Sequence, residues 1–244
     1  ARRLRTRRAV PSCIPLACEV ETVKLTAIKK QYGDTVALDI PEIEFTQGEI
    51  TAVLGESGAG KSTLLGAISG MISAEGTVEG VGRVSYLFQS AKLLPNLTVL
   101  QNLMFVLPKG SDTAAAMEML ARVGLQGKEG RYPRELSGGE KQRVAVARAF
   151  LFPHDTLLMD EPFSAIDLSL KKSLVELVVS LWQEKRSTVI FVTHDVHEAA
   201  ILSHRAVVIK KGRVLLDIPV TGELPRDFFN RHPVESELVR ALVQ

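Results

Sequence analysis

Nine consecutive residues, Gly55 to Thr63, constrain the fold of this 244-residue chain more than any other segment. They read Gly-Glu-Ser-Gly-Ala-Gly-Lys-Ser-Thr and match the pattern GxxxxGK[ST], between the short apolar run Glu49–Leu54 and a segment with helical spacing, Lys61–Ser69. Glycines allow a tight loop whose backbone N–H groups converge on phosphate oxygens, and the positive end of the following helix points at the same anion. The pattern therefore predicts a strand, a phosphate-binding loop and a helix that together hold a nucleotide.

The side chains of this loop predict separate roles in binding the nucleotide. Lys61 supplies a point charge for the β- and γ-phosphates, and Ser62 offers a hydroxyl to Mg²⁺. A glycine-rich turn formed by chance is the alternative interpretation, and the flanking strand and helix argue against it. The predicted nucleotide contacts in the loop are Gly55, Glu56, Ser57, Gly58, Ala59, Gly60, Lys61, Ser62 and Thr63.

Short apolar runs alternate with helical segments along the chain. Strands that are apolar on both faces and alternate with helices indicate a parallel sheet covered on both sides. Between about Ser90 and Phe152 the pattern changes, because every apolar segment there has helical spacing, which predicts a helical insertion. An N-terminal strand at Val20–Ile28 is followed by a predicted turn at Lys30–Asp34. The other predicted strands are Val84–Phe88, Thr156–Met159, Thr188–Thr193, Ala206–Lys210 and Val214–Leu216.

Two adjacent carboxylates follow the apolar run Thr156–Met159. Asp160 at the end of the strand is placed to hold Mg²⁺ from the side opposite Ser62. Glu161 should face the other way, because successive residues of an extended chain point to opposite faces, and it is then free to orient or deprotonate a water. A solvated strand exit before Pro162 is the alternative. The upstream phosphate-binding loop favours the catalytic interpretation.

The run Leu136-Ser137-Gly138-Gly139-Glu140, followed by Lys141-Gln142-Arg143, resembles the signature of ATP-binding-cassette (ABC) ATPases. With the loop upstream and the carboxylates downstream, the resemblance covers about residues 20 to 215. It implies an α/β fold: a P-loop NTPase core with a mainly parallel sheet, an N-terminal antiparallel β part and an inserted α-helical subdomain. It also implies that ATP and Mg²⁺ bind between two subunits paired head to tail. Each subunit would offer its signature turn, Ser137, Gly138 and Gly139, to the ATP of its partner.

The resemblance extends to three further residues and one loop. Tyr32 stands where the family stacks an aromatic ring on adenine, and Gln89 where a glutamine contacts Mg²⁺ or the attacking water. Ser164-Ala165-Ile166-Asp167 resembles the loop that crosses the dimer interface, with Ile166 in place of the usual leucine. His194 matches the histidine that contacts the γ-phosphate and steadies Glu161. The resemblance implies that the catalytic residues are Lys61, Gln89, Glu161 and His194. It implies that Mg²⁺ is held by Ser62, Gln89 and Asp160. The nearby His197 is expected at the surface.

Charge and cysteine content exclude several other functions. The whole chain carries +2, but five arginines fall in the first eight residues, so the rest carries −3 and offers no basic face to nucleic acid. We expect the arginine-rich residues 1–18 to be disordered, although binding to anionic lipid is an alternative. Cys13 and Cys18 form neither a zinc pattern nor a disulfide framework and suggest a reducing compartment. No apolar run is long enough to span a bilayer.

These features favour the ATPase subunit of a membrane importer. The segment Glu161–Ala165 resembles importer subunits, and Leu93–Val99 resembles cassettes for nitrate, sulfonate, taurine or thiamine uptake. The implied partners are a second cassette in a homodimer, a transmembrane permease and a solute-binding protein, at the cytoplasmic face of the inner membrane. Alternatives are an export or lipid-handling cassette, a soluble ABC ATPase of DNA repair or translation, and an unrelated P-loop GTPase or kinase. We expect one domain over residues 19–244, with a core at about 19–90 and 153–220, a helical subdomain at about 91–152 and a tail at 221–244.

Overall fold

The computed structural model describes residues 22–164 and 166–243. Residues 1–18, Cys13 and Cys18 among them, lie outside this part, as do the first two residues of the predicted strand Val20–Ile28, Ala165 and Gln244. The strands are β1 Thr22–Tyr32, β2 Thr35–Thr46, β3 Ile50–Leu54, β4 Glu75–Glu79, β5 Val84–Leu87, β6 Thr156–Asp160, β7 Thr188–Thr193, β8 Arg205–Lys210 and β9 Arg213–Pro219. The helices are α1 Lys61–Ile68, α2 Val99–Met104, α3 Ala114–Arg122, α4 Gly138–Leu151, α5 Leu168–Lys185, α6 Val196–Leu202 and α7 Val234–Val243, with a 3-10 turn at Pro133–Glu135.

Two sheets organise the described residues. β2, β1 and β4 form an antiparallel three-stranded sheet in that order. The six-stranded sheet has the order β5-β6-β7-β3-β8-β9, and all its pairs are parallel except β8–β9. The segment between β5 and β6 contains only helices, which are α2, α3, the 3-10 turn and α4. These features confirm the predicted α/β fold with an N-terminal antiparallel sheet.

The central strands of the large sheet end side by side. Leu54 at the end of β3 pairs with Thr193 at the end of β7, and Asp160 at the end of β6 pairs with Val192. In a parallel sheet the carboxyl ends share one edge, and ligands bind in the crevice outside it. Predicted site residues lie at or after the ends of β3, β5, β6 and β7, so this alignment brings them together at the carboxyl edge of the large sheet.

The large sheet is buried on both faces because its side chains alternate between two cores. Ala52 and Leu54 of β3 belong to a core shared with α4, α5 and α6. Val53 belongs to a second core between the large sheet, α1 and the antiparallel sheet, where it joins Leu64 and Phe45. Because side chains alternate along β3, one face of the large sheet packs against α4, α5 and α6. The other face packs against α1 and the antiparallel sheet.

Several elements differ from the sequence predictions. The turn expected at Lys30–Asp34 is shorter, since β1 continues to Tyr32. β2, β4 and α6 were not predicted. Within the tail, the sequence predicts a terminal helix at Pro233–Val243; α7 confirms it, and its Leu238 is fully buried in the larger core. Within the described ranges, no helix combines the length and apolar character needed to cross a membrane.

Candidate functional site

A cleft of about 780 Å³ opens at the carboxyl edge of the large sheet. Strand ends and the phosphate-binding loop form one wall, and the end of β1 and the start of β2 form the other. Ten of the predicted site residues lie along this cleft. They are Tyr32, Ser57, Gly58, Gly60, Lys61, Ser62, Thr63, Gln89, Glu161 and His194.

The phosphate-binding loop is packed so tightly that glycine is required at two of its positions. A Cβ on Gly55 would lie 2.4 Å from the carbonyl oxygen of Ile209, and one on Gly60 would lie 2.2 Å from that of Ala37. Gly60 also has φ +104°, in the region that favours glycine. Ala59 is buried beneath the loop. The loop therefore packs against β8 of the large sheet at Gly55 and against β2 of the antiparallel sheet at Gly60.

Lys61 lies inside the curve of this loop. Its Nζ donates to the carbonyl oxygens of Gly55 at 2.7 Å and Glu56 at 3.0 Å. Burial lowers the pKa of Lys61, while the charges of Glu161 and Asp160 oppose this effect. An ammonium group in such a position has little water around it, so its electrostatic attraction to an anionic phosphate is strong.

Ser62 and Asp160 face each other across the first turn of α1. The Ser62 hydroxyl donates to Oδ1 of Asp160 at 3.1 Å, and the Tyr86 hydroxyl lies 3.5 Å from Oδ2. Burial raises the pKa of Asp160, and the neighbouring Glu161 adds to this effect, whereas the Ser62 and Tyr86 contacts lower it. A half-buried carboxylate beside a hydroxyl fits a divalent cation that completes its coordination with phosphate oxygens and water.

Three strand ends meet at the carboxylate of Glu161. Oε2 of Glu161 accepts from Nε2 of Gln89, after β5, at 3.3 Å, and it lies 3.4 Å from Nδ1 of His194, after β7. Its backbone N–H donates to the carbonyl of Val192 at 3.0 Å. Glu161 therefore sits between an amide and an imidazole that can both hold its carboxylate in one orientation.

The expectation that Glu161 is aimed by an extended chain is wrong. Its φ is +44°, a left-handed conformation that is uncommon outside glycine, so the chain turns sharply just after Asp160. Residues held in such conformations cost free energy and cluster at functional sites. After this turn the carboxylate of Glu161 contacts Gln89 and His194.

Tyr32 lies at the outer end of the cleft with half of its side chain exposed. Nζ of Lys30 is 5.2 Å from the centre of the Tyr32 ring. An exposed aromatic ring at the cleft mouth is suited to stacking on a nucleobase.

The signature turn lies elsewhere. Ser137 and Gly138 are exposed, and neither they nor Gly139 line the cleft. Ser137 caps α4: its Oγ accepts from the N–H of Glu140 at 3.3 Å, and Oε2 of Glu140 accepts from the N–H of Ser137 at 2.8 Å. Asp167 caps α5 in the same way, accepting from the N–H of Leu170 at 2.9 Å. The structure of one chain therefore brings together the loop, Asp160, Glu161, Gln89 and His194, but not the signature turn or Asp167.

The sequence interpretation missed a polar cluster behind His194. Lys171 binds Asp195 and Glu198, and Glu198 also accepts from the hydroxyl of Thr193. Spacing gave no signal for Lys171, which lies between the motifs. The surface position expected for His197 is wrong, because its side chain is half-buried, with Nε2 2.8 Å from the carbonyl of Phe228 and Nδ1 3.0 Å from Glu235.

Comparison with known proteins decides the family. The model of the ABC transporter family matches residues 38–164, more than half of the chain. The chain belongs to the ABC transporter family. As a member of it, the chain is an ATP-binding and ATP-hydrolysing subunit, consistent with the cleft and the carboxylates at its base.

Similar curated proteins agree in their names. The aliphatic sulfonates import ATP-binding protein SsuB 2 of Streptomyces avermitilis is 39% identical over 222 residues, 88% of this chain and 86% of that protein. SsuB 1 of Frankia alni is 43% identical over 206 residues, 84% of this ABC subunit and 77% of that protein.

Solved structures of the fold include dimers. The dimeric bacterial ABC transporter cassette MJ0796 has a TM-score of 0.73 and 29% identity, and the match covers 82% of this chain and all of that one. A dimeric post-hydrolysis state of MJ0796 bound to ADP and Pi gives the same TM-score with 28% identity.

Proposed function

We propose that this subunit hydrolyses ATP to drive a membrane importer of small organic anions, with aliphatic sulfonates as the first candidate class. The convergence of Gln89 and His194 on Glu161 is the observation that carries the catalytic part of this proposal. The import function and the solute class are supported by the names of relatives at about 40% identity.

The loop would hold the polyphosphate. Residues of the loop and of the first turn of α1 line the cleft, and their backbone N–H groups would bind phosphate oxygens. Lys61 would exchange its bonds to Gly55 and Glu56 for phosphate oxygens. Tyr32 would stack on the adenine ring. The loop would therefore bind the phosphates with a fixed backbone, while the Lys61 side chain moves to contact them.

Ser62 and Asp160 would hold Mg²⁺, with Gln89 near enough to the same edge to take part. When bound, the cation would neutralise charge on the β- and γ-phosphate oxygens. The raised pKa of Asp160 supports this assignment, because a cation beside a half-buried carboxylate removes the cost of its ionised form.

Glu161 would orient a water for attack on the γ-phosphorus and accept its proton. Gln89 and His194 would restrict the carboxylate to the orientation in which one oxygen faces that water. The left-handed backbone of Glu161 supports this role, since its strain is stored where the carboxylate must be aimed.

The second half of the site would come from a second copy of this chain. Ser137 and Gly138 present an exposed helix N-terminus that does not line the cleft of its own chain. The N-terminus of a helix attracts anions, so the partner's γ-phosphate is a suitable ligand for this exposed turn. ATP would close the homodimer and hydrolysis would reopen it. This motion would be passed through the helices after Gln89 to a transmembrane permease, fed by a solute-binding protein, at the cytoplasmic face of the inner membrane.

The proposal is tested with the subunit, its permease and its binding protein in proteoliposomes. We expect an alkanesulfonate-loaded binding protein to raise ATP turnover and uptake, and Glu161→Gln to lower turnover by at least about 100-fold. Glu237→Gln changes an exposed carboxylate of α7 and serves as the matched control. Undiminished turnover in Glu161→Gln would remove the catalytic assignment. Turnover without any response to sulfonates would remove the solute class.

A further inference from the structure

Lys171 connects the start of α5 to the loop that carries His194. It lies in the first turn of α5, four residues after the N-cap Asp167. Its Nζ donates to Oδ2 of Asp195 at 2.9 Å and to Oε1 of Glu198 at 2.6 Å. The Lys171 side chain is 17% exposed and that of Glu198 only 4%, so the contact is largely shielded from water.

The two carboxylates hold both neighbours of His194. Asp195 follows His194 directly, and Glu198 accepts from the hydroxyl of Thr193, which precedes it. That hydroxyl in turn accepts from the N–H of Asp195 at 3.0 Å. The His194 side chain is itself 64% exposed, so its position near Glu161 depends on its backbone more than on packing.

A buried ion pair of this kind is poor evidence for stability. Removing charges from water costs several kcal/mol and is often only balanced by their attraction. Burial raises the pKa of Glu198, and the bonds from Lys171 and Thr193 oppose this shift. α5 already has a cap in Asp167, so it does not require Lys171 to begin. What the cluster adds is a fixed geometry between α5 and the loop after β7.

That geometry is next to the catalytic carboxylate. A cavity of about 120 Å³ lies between the cluster and the cleft, and its walls include Glu161, Ser164, Lys171, Thr193, His194 and Glu198. Movement of α5 would therefore change the distance between His194 and Glu161 without passing through the phosphate-binding loop.

We propose that Lys171 is a positioning residue, which ties the Thr193–Asp195 backbone to the start of α5 and so holds the His194 imidazole against Glu161. The inference rests on the proposed role of Glu161. It deepens that role, because Asp167 at the same helix end would lie at the dimer interface. Lys171 then makes the orientation of His194 depend on how the partner subunit docks.

The test compares Lys171→Met, Lys171→Arg and, as a matched control, Lys172→Met, whose exposed side chain neighbours Lys171 on α5. In full-length protein we expect Lys171→Met to lower kcat by about 10- to 100-fold, as expected for a misplaced catalytic group, with KM for ATP within about twofold. Lys171→Arg should restore most of the activity, and Lys172→Met should match the wild type. A change in KM with kcat unaltered would overturn the proposal.

Two further variants separate positioning from folding. Lys171→Met leaves the buried Glu198 without its cation, so the double variant Lys171→Met/Glu198→Gln is expected to regain the wild-type melting temperature but not kcat. In a His194→Ala background, Lys171→Met should cost less than about twofold, because both changes act through one side chain. Full additive losses in that background would sink the inference. Wild-type activity of Lys171→Met beside an inactive Glu161→Gln would overturn the inference and leave the proposed function standing.

Discussion

Gly60 shows how closely the phosphate-binding loop packs against the antiparallel sheet. The loop passes so close to Ala37 in β2 that only a hydrogen atom fits between them, and the conformation at φ +104° is strained for other residues. The sequence pattern requires glycine here, but it does not show that the surface behind the loop is a strand of another sheet.

We expect Gly60→Ala to lower the free energy of unfolding by at least about 2 kcal/mol, from backbone strain and from overlap with the Ala37 carbonyl. ATP affinity should fall with it, because the loop must shift to relieve the overlap. Thermal unfolding and titration with a fluorescent ATP analogue measure the two effects.

Gly58→Ala is the matched control for this change. Gly58 also has a positive φ, +79°, but a Cβ there would meet no atom within 4 Å. Gly58→Ala should therefore lower the free energy of unfolding by only about 1 kcal/mol, which is the contribution of backbone strain alone. Equal losses in the two variants would show that contact with β2 does not matter.

Glu161 marks the limit of prediction at this scale. The sequence predicts that Glu161 follows a buried strand and belongs to the site. It predicts site positions for Lys61, Asp160 and Gln89 as well. The left-handed backbone of Glu161 does not follow from the sequence, because the Glu161 N–H bonds to Val192 in a strand that is distant in the sequence. Lys171 was missed for the same reason, since its partners come from another strand end.

Among the elements, α4 depends on a reciprocal cap at its start. Ser137 and Glu140 satisfy each other's backbone N–H groups, and Lys128 also binds the Glu140 carboxylate. The Lys128 bond and the Ser137 N–H together lower the pKa of Glu140 to about 2. The ionised form thus favours the folded state. Its contribution is present above the unfolded pKa near 4.5 and is lost as the pH falls toward 2.

We expect Glu140→Gln to lower the melting temperature by about 1–2 °C at pH 7, a small change because solvent screens most of the interaction. The difference from wild type should shrink below pH 4.5, where the wild-type carboxylate begins to lose its advantage. Differential scanning fluorimetry of nucleotide-free protein between pH 7 and 3 measures this difference in melting temperature, with Glu118→Gln on α3 as control. A penalty that is the same at both ends of this range would contradict the assignment.

The elements that were not predicted have identifiable reasons. β2 buries Leu38 and Ile40, then Ile43 and Phe45, so its alternation changes phase at Pro41, and the proline is tolerated because β2 is an edge strand. β4 is nearly all exposed and has no apolar alternation. α6 is only seven residues long, although the Asp195 cap and Glu198 three residues later were a usable signal.

At the scale of the whole molecule, the phosphate-binding loop, Tyr32 and Glu161 all line one cleft. The signature turn and the Asp167 cap present exposed helix ends outside it. No sequence pattern within a single chain shows that these two surfaces lie apart. In the homodimer proposed above, a twofold axis would make the two composite sites equivalent, each with the loop of one copy and the signature turn of the other.

Mixing two inactive variants tests this arrangement. Lys61→Ala disables a subunit's own loop, and Ser137→Phe blocks the turn it offers to its partner. In a mixed dimer both changes fall in the same composite site, and the other site combines an unaltered Lys61 with an unaltered Ser137. After random exchange half of the dimers are mixed and each has one intact site of two, so about a quarter of wild-type ATP turnover should return if the sites are independent.

Subunit exchange followed by ATPase measurement at several mixing ratios checks this expectation. Lys61→Ala mixed with Glu161→Gln is the control, because both residues belong to the same side of the site and every composite site in that mixture stays defective. Activity should therefore peak at equal amounts of Lys61→Ala and Ser137→Phe and stay at background in the control. If neither mixture recovers activity although exchange is shown by labelled subunits, the signature turn does not complete the partner's site. Loss of activity in Ser137→Phe would then come from α4 within its own chain, where Ser137 caps the helix.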